Sequence, residues 1–232
     1  MKRATGKTDD RSAARKVSIQ QPLDGHSFSA DDALGDLPEE GDVEVEIITE
    51  QTLLVPGSQF GPEDAEALLA AAGLPCREGQ CTLWWGDPSR SQPASDTPQQ
   101  PETPDGASPH AGHSGDPVAA VAAVDAAFLR RLAERLGTRM QLTTPLLRPD
   151  RPSGKCVWMR LAAGILYIKV YDDRLRLAEA VAAPTQADRL YLAQRLAGEF
   201  PLGEFELRLA DADTRLLRRE IGRYFKCTTC ES

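Results

Sequence analysis

The chain has 232 residues, enough for one large domain or two intimate lobes, with 35 acidic against 27 basic residues and a net charge of −8. That balance argues against non-specific binding to a phosphate backbone, which needs a positive field, and no run of about 18 apolar residues exists to form a transmembrane helix. Five cysteines and the lack of an apolar stretch behind Met1 make reduced thiols and a cytoplasmic location the expectation.

Residues 1–15, basic and without apolar clusters, read as a disordered arm. The first lobe is expected over 16–147. Val17, Ile19 and Gln21 share one face of a strand, Leu23-Asp24-Gly25-His26 makes a turn because Asp-Gly accepts positive φ, and Ser27-Phe28-Ser29 starts a returning strand. Val43 to Ile48 alternates, with Val43, Val45 and Ile47 inward and Glu44 and Glu46 toward solvent. Thr52 to Pro56 is a second short extended piece. Gly61-Pro62-Glu63-Asp64 opens a helix whose stripe is Ala65, Leu68, Leu69 and Ala72 and whose end is Gly73. Cys81 to Trp85 can form a strand.

Composition then breaks. Gly86 to Pro117 holds seven of the 17 prolines and no Val, Ile, Leu, Met, Phe or Tyr, so it is expected to be a disordered insertion in the lobe. His110 and His113 within it have no ordered neighbours to complete a metal site. Patterning resumes at Val118 to Val124, an apolar run that suggests a buried parallel strand. Asp125 then caps a helix carrying Phe128, Leu129, Leu132 and Leu136, Gly137 ends it, and Arg139 to Leu147 reads as a strand interrupted by Pro145. Residues 148–154, with two prolines and a glycine, form the expected linker between lobes.

The second lobe is expected over 155–226. Cys156 to Leu161, Ile165 to Tyr171 and Arg174 to Val181 read as three strands joined by Ala162-Ala163-Gly164 and Asp172-Asp173, the latter of hairpin length. Thr185 and Asp188 have capping-box spacing before a helix with Leu190, Tyr191, Leu192 and Leu196 on a broad apolar face. Glu204 to Leu209 alternates as a strand, and Asp211 or Asp213 starts a last helix with Leu217, Ile221, Tyr224 and Phe225 inward. Residues 227–232 are expected to be a C-terminal tail. A three-strand meander followed by helix, strand and helix is the order of a ribonuclease-H-like half domain. The fold expected is therefore α/β, a duplicated ribonuclease-H-like (actin-like ATPase) fold of two lobes with mixed sheets flanked by helices.

Four segments carry a further resemblance: VSIQQPLDGHSFS (17–29), TLLVPGSQFGPEDAEALL (52–69), VAAVAAVDAAFLRRLAERLG (118–137) and LYIKVYDDRLRLAEAVAAPTQADRLYLAQRL (166–196). In their order they resemble an uncharacterised bacterial family, domain-of-unknown-function family 3822, placed in the actin-like ATPase superfamily. The resemblance implies a fold, since that family has no established activity. It also implies where chemistry would sit: active actin-like proteins hold phosphates and magnesium with an Asp- and Gly-rich hairpin turn in each lobe. Here Asp24, Gly25 and Ser27 are the candidate nucleotide-binding residues of the first turn. The second turn, Ala162-Ala163-Gly164, has no carboxylate, and no Gly-Gly adenosine loop precedes the last helix, where Leu209-Ala210-Asp211-Ala212-Asp213 stands.

Cys76 with Cys81, and Cys227 with Cys230 in a CxxC, are the candidate metal ligands, since four thiolates suit tetrahedral zinc. The CxxC follows a helix C-terminus, where the dipole opposes a thiolate, so a thioredoxin-like role is disfavoured. No Ser/His/Asp or paired-carboxylate constellation emerges, and no catalytic residue is assigned. Three function classes follow. The favoured one is a non-catalytic actin-like protein-interaction module with a protein partner, no nucleic acid, no membrane and no cofactor. The second is a nucleotide-dependent switch or weak ATPase taking Mg-ATP in the cleft, and the third is a zinc-stabilised or thiol-active protein using the four cysteines.

Overall fold

The computed structural model describes residues 15–20, 41–56, 61–86, 118–148, 154–210 and 213–231. In chain order the first half consists of β1 (Arg15–Gln20), β2 (Val43–Ile48), β3 (Thr52–Pro56), α1 (Ala65–Ala71), β4 (Gln80–Gly86), β5 (Val118–Asp125), α2 (Ala126–Leu136) and β6 (Met140–Thr143). The second consists of β7 (Lys155–Ala162), β8 (Ile165–Asp172), β9 (Arg174–Ala182), α3 (Gln186–Glu199), β10 (Glu206–Ala210), α4 (Thr214–Ile221) and β11 (Cys227–Glu231).

The first half divides its strands between two sheets. One is the parallel trio β1-β2-β6, with Val17 opposite Val45 and Val45 opposite Leu142. The hairpin expected around Asp24-Gly25, and its returning strand from Ser27, lie outside the described residues, and the described partner of β1 is β2, in parallel. The other sheet is β3-β5-β4, where β5 runs antiparallel to both neighbours. This corrects the parallel strand expected at Val118–Val124. An unbroken apolar run reports burial on both faces but carries no direction. Here Val121 and Ala123 pack toward Ala65 and Leu69 of α1, while Ala122 and Val124 pack toward Val45, Phe128 and Leu132. The helix that follows is capped as expected, Asp125 Oδ1 accepting from Phe128 N–H at 2.6 Å.

The second half is a single five-stranded sheet in the order β11-β10-β7-β8-β9. The β7–β8 connection is a two-residue turn, Ala163-Gly164, with φ of 54° and 77°, the positive-φ pair that matches strand twist. At the next corner Asp172 pairs with Arg174 and Asp173 alone, at φ 60°, lies outside the ladder; a register shift at Val170/Tyr171 absorbs the odd residue. The connection is thus one residue tighter than Asp172-Asp173 suggested. Beyond the meander, β10 pairs in parallel with β7, and β11 in parallel with β10.

Strand alternation splits this sheet into two faces. Val157, Met159, Leu166, Ile168, Leu207 and Leu209 pack under α3 and α4 against Leu192, Leu196, Leu217 and Ile221. Thr185 and Asp188 form the capping box: Asp188 N–H donates to Thr185 Oγ1 at 3.2 Å and Thr185 N–H to Asp188 Oδ2 at 2.9 Å. Tyr191 departs from the expected apolar face and stands 65% exposed.

Cys227–Glu231, expected as a tail, is the fifth strand. Its two threonines suit extended backbone, and Lys226 N–H donates to Phe205 O at 3.0 Å to set its start. The two halves do not share one sheet plan among the described residues, because the first has two three-stranded sheets where the second has one of five.

Candidate functional site: a polar seam between the halves

The second face of the five-stranded sheet turns toward the first half. Trp158, Ile165, Tyr167 and Ala210 meet Ile48 and Leu146 there in an apolar contact. Set within it are charged and hydroxyl groups that a half-exposed reading of these strands would put in water.

Glu46 of β2, expected to face solvent, is 1% exposed and meets Arg160 of β7 at 2.7 Å between Oε1 and Nη1. The alternation of VEVEII gave the correct faces but the wrong exposure, since the Glu46 face is covered by the second half. Three residues along, the turn after β2 is fixed by Tyr167 of β8. Its hydroxyl accepts from Thr49 N–H at 2.9 Å and donates to Thr49 O at 3.1 Å. Burial pushes the Tyr167 phenol well above its usual pKa, against a smaller opposing effect of the Thr49 bond. Lys169, 1% exposed on the same strand, donates to Arg148 O at 2.9 Å and lies 4.4 Å from the centroid of the Trp158 ring. These contacts tie β7 and β8 to β2, to the turn after it and to the chain following β6.

The second-half hairpin turn is exposed at Ala163 and abuts the strand exit at Gly164. Gly164 O accepts from Ala183 N–H at 2.7 Å, and a Cβ placed on Gly164 would already touch Pro184 Cβ at 3.5 Å. The turn itself carries no carboxylate. On the helical side, Arg189 of α3 reaches Glu220 of α4 through two bonds, Nε to Oε2 at 2.7 Å and Nη2 to Oε1 at 3.1 Å. Its Nη1 also donates to Ala183 O and Pro184 O. One arginine therefore joins the strand exit, the start of α3 and the flank of α4.

The proposed first-lobe nucleotide residues, Asp24, Gly25 and Ser27, lie outside the described residues, as do His110 and His113. The four candidate metal ligands are described, and they are not brought together. Cys227 and Cys230 stand three apart on an extended strand, so alternation sends them to opposite faces of the sheet, both exposed. Cys76 and Cys81 are half-buried in the first half, with Cys76 Sγ 3.2 Å from Thr82 Oγ1. Burial, then the neighbouring Cys76, pushes the Cys81 thiol up. Among the described residues no three His, Cys, Asp or Glu side chains converge to hold a metal ion. Cys156 is buried.

Sequence reading missed the seam. Its signal was present in Arg160 within CVWMRLA and Lys169 within ILYIKVY, single cations inside strands otherwise built of core residues. Such a cation must find an anion, a carbonyl or a ring when its strand is covered on both faces.

No protein-family model matches the chain, and no curated protein sequence matches it. Among solved structures it is similar to a protein from Bacteroides thetaiotaomicron with an actin-like ATPase fold and unknown function. That match has a TM-score of 0.60 and 15% identity, covering 86% of this chain and 71% of the other. A weaker likeness is to the cytoplasmic domain of EpsL, an inner-membrane component of the type II secretion system of Vibrio cholerae. It has a TM-score of 0.41 and 13% identity, covering 84% and 80%. The fold is thus that of the actin-like ATPases, with mixed α/β sheets and helices. No helix among the described residues is long and apolar enough to cross a membrane.

Proposed function

We propose that this chain is a catalytically silent actin-like protein that works as a protein-interaction module in the cytoplasm, related to domain-of-unknown-function family 3822 and built on a duplicated two-lobe plan. The observation that carries the reading is the second-half turn Ala163-Gly164. Where active proteins of the fold aim an Asp at metal-bound water, this turn offers an exposed methyl group and a glycine. The seam supports the same reading. Hinged closure over a nucleotide needs lobes that part, and Glu46–Arg160 with Tyr167–Thr49 joins the halves by buried polar contacts that are costly to separate.

Calorimetric titration of the purified chain with Mg-ATP tests this directly. The silent module gives no saturable heat. Saturable micromolar binding that is lost in Asp24→Ala would sink it and establish the alternative, a nucleotide-dependent switch or weak ATPase using Asp24, Gly25 and Ser27. The third reading, a zinc-stabilised or thiol-active protein, needs Cys76, Cys81, Cys227 and Cys230 to converge, and is tested by metal content below.

A further inference from the structure

Helix α4, TRLLRREI, turns its apolar residues and its one carboxylate inward. Leu217 and Ile221 are buried in the core beneath the helices, and Glu220 is buried and held by Arg189. The outward face is left to Arg215, Arg218 and Arg219, all exposed, and the turn that follows adds exposed Arg223 and Lys226. Five cations thus line one short stretch of a chain whose net charge is −8.

The helix dipole accounts for Arg218 and Arg219, which stand in the last turn. It does not account for Arg215. The first turn holds no acid, and a cation there faces the positive end of the dipole. Arg215, two residues past the N-cap Asp213, therefore gains nothing from the dipole of the helix that carries it. Beside the cations runs an aromatic margin. Tyr191 of α3 is the most exposed large hydrophobic side chain among the described residues, and Gln194 lies on the same side one turn further on. Gln194 also bonds the Tyr224 hydroxyl, and the Arg223 guanidinium sits 5.2 Å from the Tyr224 ring centroid. Tyrosine and arginine are the residues that most often dominate protein interfaces.

We propose that this face docks an acidic helix of a partner protein, one that presents carboxylates at every fourth residue. The proposal rests on the interaction-module reading and names the partner's chemistry. Arg215 and Arg219 stand four residues apart, a rise of about 6 Å along a helix, and a partner helix with Glu at i and i+4 repeats that interval. Arginine forks take carboxylates in bidentate fashion, and the tyrosines supply apolar area at the margin. The net charge of −8 opposes a long polyanion such as duplex DNA far more than one short acidic helix that meets only these five cations. A lipid surface would find no free aliphatic side chain to insert, because Leu217 and Ile221 are buried and the half-buried Leu216 packs against the same core.

The test is fluorescence anisotropy with a labelled Ala/Gln helical peptide carrying Glu at every fourth position, titrated with the full chain. A peptide with Gln in place of Glu is the control. The expected result is saturable binding that falls with added salt, is absent for the control, and weakens about tenfold or more in Arg215→Glu/Arg219→Glu. Arg215→Glu alone should weaken binding while leaving the thermal midpoint unchanged or raised, a combination that a structural role for Arg215 would not produce. Equal binding of both peptides, no binding, indifference to charge reversal, or tighter competition by duplex DNA or phosphatidylserine vesicles would overturn it. An Mg-ATP titration that is positive while the peptide result holds would remove the silent reading and leave the docking face standing. The reverse pair of outcomes would do the opposite.

Discussion

Glu46 of β2 and Arg160 of β7 lie 2.7 Å apart with 1% and 7% of their side chains exposed, one from each half of the chain. Both charges gave up water, so each depends on the other. Arg160→Ala should cost about 3–5 kcal/mol in urea unfolding, because it strands a buried carboxylate. The double variant Glu46→Leu/Arg160→Met should recover most or all of that loss, since apolar residues of similar size replace such pairs at little cost. A loss from the single alanine no larger than that of a surface change would mean that the seam does not hold the halves.

Tyr167 gives a second probe with a definite pH signature. Tyr167→Phe leaves the buried N–H and carbonyl of Thr49 without the hydroxyl, at a cost of about 1–3 kcal/mol near neutral pH. The folded-state pKa of the phenol is raised, so the folded chain holds the proton after the unfolded chain has released it. Stability from this group is therefore fully present below the unfolded value, near pH 10, and is lost as pH rises above it. The gap between wild type and Tyr167→Phe should narrow from about pH 10 upward. Denaturant midpoints measured at neutral and alkaline pH would show this, and a constant gap would contradict it.

What the sequence disclosed and what it withheld divide along physical lines. The meander at 155–182, the capping box of Thr185 and Asp188 and the cap at Asp125 were legible because each is set by local alternation or by spacing within one turn. The direction of β5, the parallel pairing of β1 with β2 and the burial of Glu46 were not. Each depends on which segment distant in sequence comes to lie alongside, and alternation reports a face without naming its neighbour. Strand β11 was missed for a related reason, because CTTCE has no buried apolar residue and owes its conformation to the ladder with β10.

Thr185 and Asp188 predict an acid-side effect. The Thr185 hydroxyl and N–H hold the Asp188 carboxyl below the usual carboxylate range. A depressed folded-state value means that stability is present above the unfolded value and lost as pH falls through the folded one. Asp188→Asn should therefore flatten the acid limb of the stability curve, with little change in its shape above about pH 5. Thr185→Ala removes the cap itself and should cost about 1 kcal/mol at neutral pH. Chemical denaturation across an acidic pH series checks both. An unchanged acid limb in Asp188→Asn would show that the box contributes nothing to it.

The cysteines supply the last test, which separates zinc from incidental thiols. An extended strand sends Cys227 and Cys230 to opposite faces, and a tetrahedral ion about 2.3 Å from each sulfur cannot be reached from both sides of a sheet. Metal analysis should find zinc well below one per chain, and a zinc ion per chain that disappears in Cys227→Ser would require β11 to unfold and would revive the metal-stabilised reading. Thiol reactivity should follow exposure and ionisation. Cys227 and Cys230 should label first in the native chain, and Cys76 and Cys81 more slowly, with Cys81 held back further because burial disfavours its thiolate. Cys156, buried between β8 and β10, should label only on unfolding. Mass spectrometry of a timed maleimide reaction resolves that order, and early modification of Cys156 would mean that the five-stranded sheet opens in the native state.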